Sequence, residues 1–545
     1  MAPVSLTFRR IETLPRLAWC ARLVKNQNTV EVLHGPWVET ADDFFCEGAW
    51  GGDFSARQLD ACLLMGSGGR VSGDQLLFAA PSHTLERIFV LRHGQTLLVS
   101  NSFAFVLSRA NDSVHPRALL YSVKFASITG GLESYARSVP TRGGNTVRLY
   151  YHCNVRIDSS LNVVEEPKSA GRAFKSFDDY RAFLCEQVAA IHANANDARR
   201  KIRYSPMATI SSGYDSPTGA VLAKTVGCTE ALTFAQARGG SSDDTADSGV
   251  EIAARLGMRV HVFNRLDYLR ETGFPESEFF GWGAQESPWA RHLEGRLLFT
   301  GFHGDKVWDR HCKKVGPHIV RGDPSGHNLN AFRLRVGFIH LPVPFLGCTS
   351  HASIHAISTS SEMAPWSVGD HYDRPIPRRL VEEAGVDRHL FATKKRATAL
   401  GLDSEGLKER MTAESFDSYI AYYNENWNVW MTIKQRLFVF LRKLYAKHES
   451  ANARLARFLE ARTGIHVDLP ILIPRDLRIG RYGDLDRLSL LMHWSIEKLL
   501  PRYRVDTAAQ PDRRVEDQRG RGSGPGARGD RPRDHDVPPH ERLAG

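Results

Sequence analysis

Pro206-Met-Ala-Thr-Ile-Ser-Ser-Gly-Tyr-Asp-Ser-Pro-Thr218 sets a short apolar run, 207–210, ahead of a small and polar loop, 211–216, with a proline where a helix can begin. A first helical turn tolerates proline because its missing N–H would be unpaired there anyway. Helical periodicity over 218–226 and a second apolar run at 231–234 complete a strand, loop, helix, strand unit. The plan then repeats: a polar loop at 239–244, a helix through Ile252, Ala253 and Leu256, and a strand over 259–263. Such alternation predicts an α/β fold, a parallel sheet with flanking helices.

Residues 1–160 read differently. Short alternating runs such as 87–91, 96–100 and 146–151, bounded by Gly, Asp and Asn, predict a strand-dominated α+β domain. A polar stretch at 158–172 reads as a linker, and Tyr180, Phe183, Leu184, Val188 and Ile191 share one face of a helix over 177–193. The expected organisation is 1–160, an α/β region over 175–400, a helical extension over 401–505 and a disordered tail over 506–545. In the extension, Trp427, Trp430, Ile433, Leu437 and Leu441 form an aromatic-rich stripe expected to pack in a core. The tail has almost no large apolar side chains, and its GxGxxG match at 524–529 lacks a strand before it and a helix after it, so it carries no nucleotide reading.

The 545 residues are 42% hydrophobic and 24% charged, as in soluble globular chains of two or three domains. The most apolar window, 88–107, is broken by Arg92 and His93, so no membrane span is expected. The first ten residues lack the layout of a secretory signal, making the cytoplasm the expected location. Eight scattered cysteines without CxxC spacing predict reduced thiols rather than a zinc site or disulfide framework. A net charge of +10, spread along the chain, suits polyphosphate as well as nucleic acid.

The loop carries the chemistry. Small residues between a buried strand and a helix aim backbone N–H groups and a helix N-terminus at one spot, an anion site. Gly213 permits close approach, and the hydroxyls of Ser211, Ser212 and Ser216 add donors. Asp215 repels phosphate directly but suits Mg²⁺, which combines a few protein oxygens with water and phosphate. The same residues would also make an ordinary strand-to-helix turn with Asp215 or Ser216 as N-cap.

The loop resembles the SGGxDS signature of the N-type ATP pyrophosphatase (PP-loop) superfamily, with Ser212 replacing the first glycine. Over 175–400 the order of features is similar to the synthetase domain of asparagine synthetases and β-lactam synthetases. That resemblance implies the PP-loop, adenine nucleotide α-hydrolase-like fold, with ATP and Mg²⁺ as ligands. Residues 211–216, from Ser211 through Tyr214 to Ser216, would hold the phosphates, and Phe234 and Ala235 would line the adenine pocket. Thr300-Gly301-Phe302-His303-Gly304-Asp305 resembles the family's SGxGxD element, which puts Gly301 at the nucleotide and Asp305 beside Asp215 on the metal. The segment from Glu362 through Arg374-Pro-Ile-Pro-Arg378-Arg379-Leu380 resembles the helix leading to a functional lysine, at Lys394 or Lys395; Glu362 is a further candidate.

Two departures matter. Phe302 stands where relatives place a glutamate or tyrosine, leaving His303 as the candidate base. Residues 95–107 resemble the class II glutamine amidotransferase domain that precedes asparagine synthetase domains, but Ala2 replaces its cysteine nucleophile, implying a degenerate domain. The resemblance therefore implies an AMP-forming ligase joining a small-molecule carboxylate to an amine or ammonia. A PP-loop enzyme acting on tRNA and a non-catalytic nucleotide-binding scaffold are the competing readings. The first is disfavoured because no cysteine pair accompanies the loop.

Overall fold

Alternation of apolar and polar residues in the first third of the chain produces strands that bury one face each. The computed structural model describes residues 4–505 except 61–62, 116–120, 170, 237–247, 282, 370, 392–405, 434–435, 438–439 and, apart from Phe458 and Arg462, 441–489. Among the described residues one sheet of seven strands runs in the order Ser5–Arg10 (β1), Thr29–His34 (β3), Trp19–Val24 (β2), Thr96–Ser100 (β9), Ile88–His93 (β8), Thr146–Tyr150 (β11), Ser138–Pro140 (β10). A second, antiparallel sheet of six runs Val163–Pro167 (β13), Cys153–Ile157 (β12), Gln75–Ala79 (β7), Leu64–Ser72 (β6), Phe44–Trp50 (β5), Glu39–Ala41 (β4). The two pack face to face through Trp19, Val32, Phe45, Phe78, Val99 and Val155. The outer face of the first is covered by the helices Phe103–Arg109 and Leu491–Leu499, through Phe105, Met492 and Ile496.

A third sheet is wholly parallel, in the order Arg259–Phe263 (β16), Glu230–Phe234 (β15), Ser205–Thr209 (β14), Arg296–Thr300 (β17), Ile339–Pro342 (β18). Its inner strands are nearly continuous apolar runs because both faces are covered. Met207, Leu232 and Leu298 face Trp289, Leu293 and Phe332. Their neighbours Ala208, Ala231 and Leu297 face Tyr180, Leu184, Ala220 and Ile376. The mixed α/β architecture with a parallel sheet and flanking helices is as expected. The chain moves outward from β14 to β16, then returns to the other side of β14 as β17. That reversal creates a switch point between β14 and β17, the place in open α/β sheets where ligand crevices form.

Residues 1–505 form one unit, and buried charge ties its sheets together. Arg333, on the helix Leu329–Val336, donates to Glu47 of β5 at 2.7 and 3.1 Å and pairs with Glu86 at 2.8 Å. All three side chains are buried, and Glu47 also accepts from Ser67 (2.6 Å) and Asn101 (3.2 Å). Burial, with help from Glu47, pushes Glu86 up to about 7 against the pull of Arg333.

Three expectations change. The stretch read as a linker contains β13, an edge strand whose successive residues Glu165 and Glu166, on opposite faces, pair with Arg137 and Arg156 (2.7 and 2.5 Å). The aromatic stripe does not pack as a core: Trp430 is 73%, Leu437 55% and Ile433 48% exposed. Trp427 alone of the described four joins a cluster, stacked on Tyr423, and Leu441 lies outside the described residues. The helix after the loop is Asp215–Lys224 rather than 218–226, and Pro217 falls in its first turn as expected. Cys20, Cys46, Cys153, Cys228 and Cys348 are buried free thiols, as expected, and no described helix is long and apolar enough to cross a membrane. Residues 506–545 lie outside the described residues.

Candidate functional site

β14 ends at Thr209, and Ile210 is held to the sheet by its N–H, which donates to Leu232 O at 2.9 Å. Beyond it the chain leaves the strand plane and enters the helix at Asp215. Ser211 Oγ and Ser216 Oγ lie 2.8 Å apart across this turn, and Gly213 N–H donates to Ser211 Oγ at 3.3 Å. The serines thus brace the loop, and the first turn of a ten-residue helix opens beside them, with backbone N–H groups that have no partner within the helix.

The loop after β17 comes against this turn so closely that side chains do not fit. A Cβ on Gly301 would lie 2.4 Å from the Asp215 carbonyl carbon and 2.6 Å from Ser216 N. One on Gly304 would lie 2.7 Å from Asp215 Oδ1. Both glycines are therefore required by close approach rather than by backbone conformation. Asp305 follows at once, and Gly322 packs on its carboxylate. Asp215 and Asp305 are thereby carried on adjoining loops at the ends of neighbouring strands.

The fold sets a buried cation against Asp215. Arg374 donates through Nη1 to Asp215 Oδ2, and its guanidinium lies 4.6 Å from the centre of the Tyr372 ring. Asp215, Tyr372 and Asp305 hold its pKa above the ordinary arginine value despite burial, the largest opposing influence. The residue before it, Asp373, is anchored by hydrogen bonds from Ser367 Oγ and from the N–H groups of Val368 (3.2 Å) and Gly369 (3.3 Å). Pro375 then starts the helix Pro375–Glu383, so the backbone of Arg374 is fixed from both sides.

Tyr214, expected at the phosphates, has its ring in the core, stacked 5.0 Å from Tyr372 and tilted 5.1 Å from Phe391, with its hydroxyl accepting from Arg378. Phe234 is likewise buried, stacked 4.7 Å from Trp289, while Ala235 N–H donates to Phe263 O at 2.9 Å at the same edge of the sheet. Ser212 is half-buried in the loop.

His303 departs from its expected role as a near-neutral base. It adopts the left-handed conformation, φ +80°, and its ring stacks on Phe345 at 4.8 Å. Burial, reinforced by Arg321, pushes its pKa down to about 3, which makes it a weak proton acceptor. Phe302 packs edge-on against His340. Glu362 is engaged elsewhere: it accepts from Arg379 (2.9 Å) and from Phe177 N–H (3.4 Å), joining two helices away from the loop. Lys394 and Lys395 lie outside the described residues.

Sequence reasoning missed Arg374 as a site residue. It is 159 positions from Asp215, and the sequence marked it only as the start of the segment leading to the lysines. Among the described residues no group of three or more His, Cys, Asp or Glu is set to hold a metal ion on its own. Asp215 and Asp305 fit a cation that draws its remaining ligands from phosphate and water. No protein-family model and no curated protein matches the chain.

Proposed function

We propose that the protein is an ATP-dependent, AMP-forming ligase that adenylates a carboxylate and passes the acyl group to an amine or ammonia. The observation that carries this reading is the braced loop 211–216 at a helix N-terminus, packed at a switch point of the sheet against the loop on which Asp305 follows. Open α/β sheets bind nucleotides at such crevices, outside the carboxyl ends of the strands.

In this scheme the N–H groups of 212–216 and the hydroxyls of Ser211, Ser212 and Ser216 hold the β- and γ-phosphates. Asp215 and Asp305 would hold Mg²⁺, which when bound offsets charge building on the phosphates. A carboxylate oxygen attacks the α-phosphorus, the bond to the bridging oxygen breaks, and pyrophosphate leaves with that electron pair. An amine held alongside attacks the acyl carbon, AMP departs, and proximity supplies much of the acceleration. Lys394 or Lys395 is proposed to neutralise the reacting centre. With His303 held neutral and buried, the proton from the amine passes to the departing phosphate or to solvent rather than to that ring.

The second reading, a non-catalytic nucleotide-binding protein, draws on Phe302 and on the burial of His303. AMP formation decides between them. Protein incubated with ATP, Mg²⁺ and pools of small carboxylates and amines is expected to yield AMP and pyrophosphate together, with Asp215→Asn lowering the rate at least about a hundredfold. ATP binding without AMP in any pool would favour the second reading. Unchanged turnover in Asp215→Asn would remove the metal role of that residue.

A further inference from the structure

A half-buried carboxylate is stabilised by a cation beside it. Asp215 has Arg374. The arginine side chain is 5% exposed, against 20% for Asp215, so the cation is the more buried partner of the pair. It lies over the face of Tyr372, and Asp305 adds a second favourable charge. The same carboxylate oxygens are those a divalent cation would need, and guanidinium is the side chain best matched to phosphate when released.

We propose that Arg374 is a built-in counter-ion that the nucleotide displaces: it neutralises Asp215 in the ATP-free protein and moves to a phosphate oxygen when a metal-bound polyphosphate arrives. This rests on the nucleotide reading of the site. The exchange makes the metal and the polyphosphate interdependent. A divalent cation alone must compete with a buried arginine for Asp215. A cation arriving with a triphosphate supplies the arginine with a new anionic partner. Free Mg²⁺ or free ATP should therefore bind much more weakly than the pair together. The fixed backbone around Asp373 and Pro375 confines the motion to the side chain, a rotamer change rather than a loop movement.

The test uses the full-length protein and two direct binding measurements, independent of turnover. Mn²⁺ alone is titrated and followed by electron paramagnetic resonance. Mg²⁺–ATP is titrated by calorimetry. Arg374→Gln should bind Mn²⁺ about tenfold more tightly, because the competing charge is gone. It should bind Mg²⁺–ATP about tenfold to a hundredfold more weakly, because a charged donor to phosphate is lost. Arg374→Lys keeps the charge but loses the fork, so Mn²⁺ affinity should stay near the wild-type value while Mg²⁺–ATP binding falls part of the way. Opposite shifts in Arg374→Gln support the exchange. Shifts of the same sign, or none, overturn it, as does a lysine variant indistinguishable from the glutamine one. Wild-type protein that binds no Mg²⁺–ATP at all removes the nucleotide reading itself, whereas wild-type binding with an unaffected Arg374→Gln removes only the counter-ion role.

Discussion

Acidification from pH 7 to pH 5.5 should cost this fold a large part of its stability, because the chain buries histidines in their neutral form. His303 and His340 are pushed down to about 3, and His34, His152 and His351 to about 4, in each case chiefly by burial. His83 and His327 are also far below the ordinary value, for the same reason. The unfolded chain takes up protons near pH 6.5 while the folded chain does not, so stability is fully present above about 6.5 and falls toward the folded values. Between pH 7 and 5.5 each of the five histidines near 3 or 4 contributes a loss of about 1 kcal/mol. Glu86 and Glu286 act with the opposite sign. Burial pushes both up to about 7, so the folded state gains a proton first, and each returns about 1 to 2 kcal/mol over the same interval. These seven groups leave a net loss of about 2 to 4 kcal/mol, to which His83 and His327 add and from which the carboxyls of Glu39, Glu271, Glu276 and Glu497, also raised by burial, subtract. Urea unfolding followed by tryptophan fluorescence at half-unit pH steps measures it. His340→Gln, which can still meet the Thr300 hydroxyl now 2.8 Å from Nε2, should lower the slope of stability against pH by about 1.4 kcal/mol per unit between pH 4 and 6. A flat profile from pH 7 to 5.5, or an unchanged slope in that variant, would show that these rings are not held neutral by burial.

Other expectations concern packing. Gly304→Ala would drive a methyl group to 2.7 Å from Asp215 Oδ1, so a stability loss of about 1 to 3 kcal/mol should accompany weakened Mg²⁺–ATP binding, both accessible by thermal melts with and without ligand. Arg333→Met leaves Glu47 and Glu86 buried without their cation, with an expected loss of about 3 to 5 kcal/mol in urea midpoints, partly recovered when Glu47→Gln is added. Trp430→Ser, on an exposed stripe, should change stability by no more than about 0.5 kcal/mol, and a larger loss in the same titration would mean that the stripe packs in solution.

The parallel sheet was legible because its strands are buried on both faces and therefore written as short apolar runs separated by helical periodicity. The pairing of Asp215 with Asp305 was an expectation from resemblance, and what the structure adds is that the strands before them, β14 and β17, are neighbours. What sequence left hidden depends on groups brought together from far apart. Arg374 has no local pattern because its partner is chosen by the fold. His303 reads as an ordinary near-neutral imidazole until Phe345 is seen against it. β13 was obscured because an edge strand needs no apolar outer face, and its polar residues look like linker. The stripe from Trp427 to Leu437 shows the converse failure: helical spacing of apolar residues marks a face but does not say that anything covers it.

Arg333 also makes the sandwich and the parallel sheet answer to one another. The charge on the helix Leu329–Val336 finds its counter-charges on Glu47 and Glu86, a lock whose key belongs to the other piece. Parting the two layers would leave a cation on one fragment and two carboxylates on the other, each without the partner that offsets its burial.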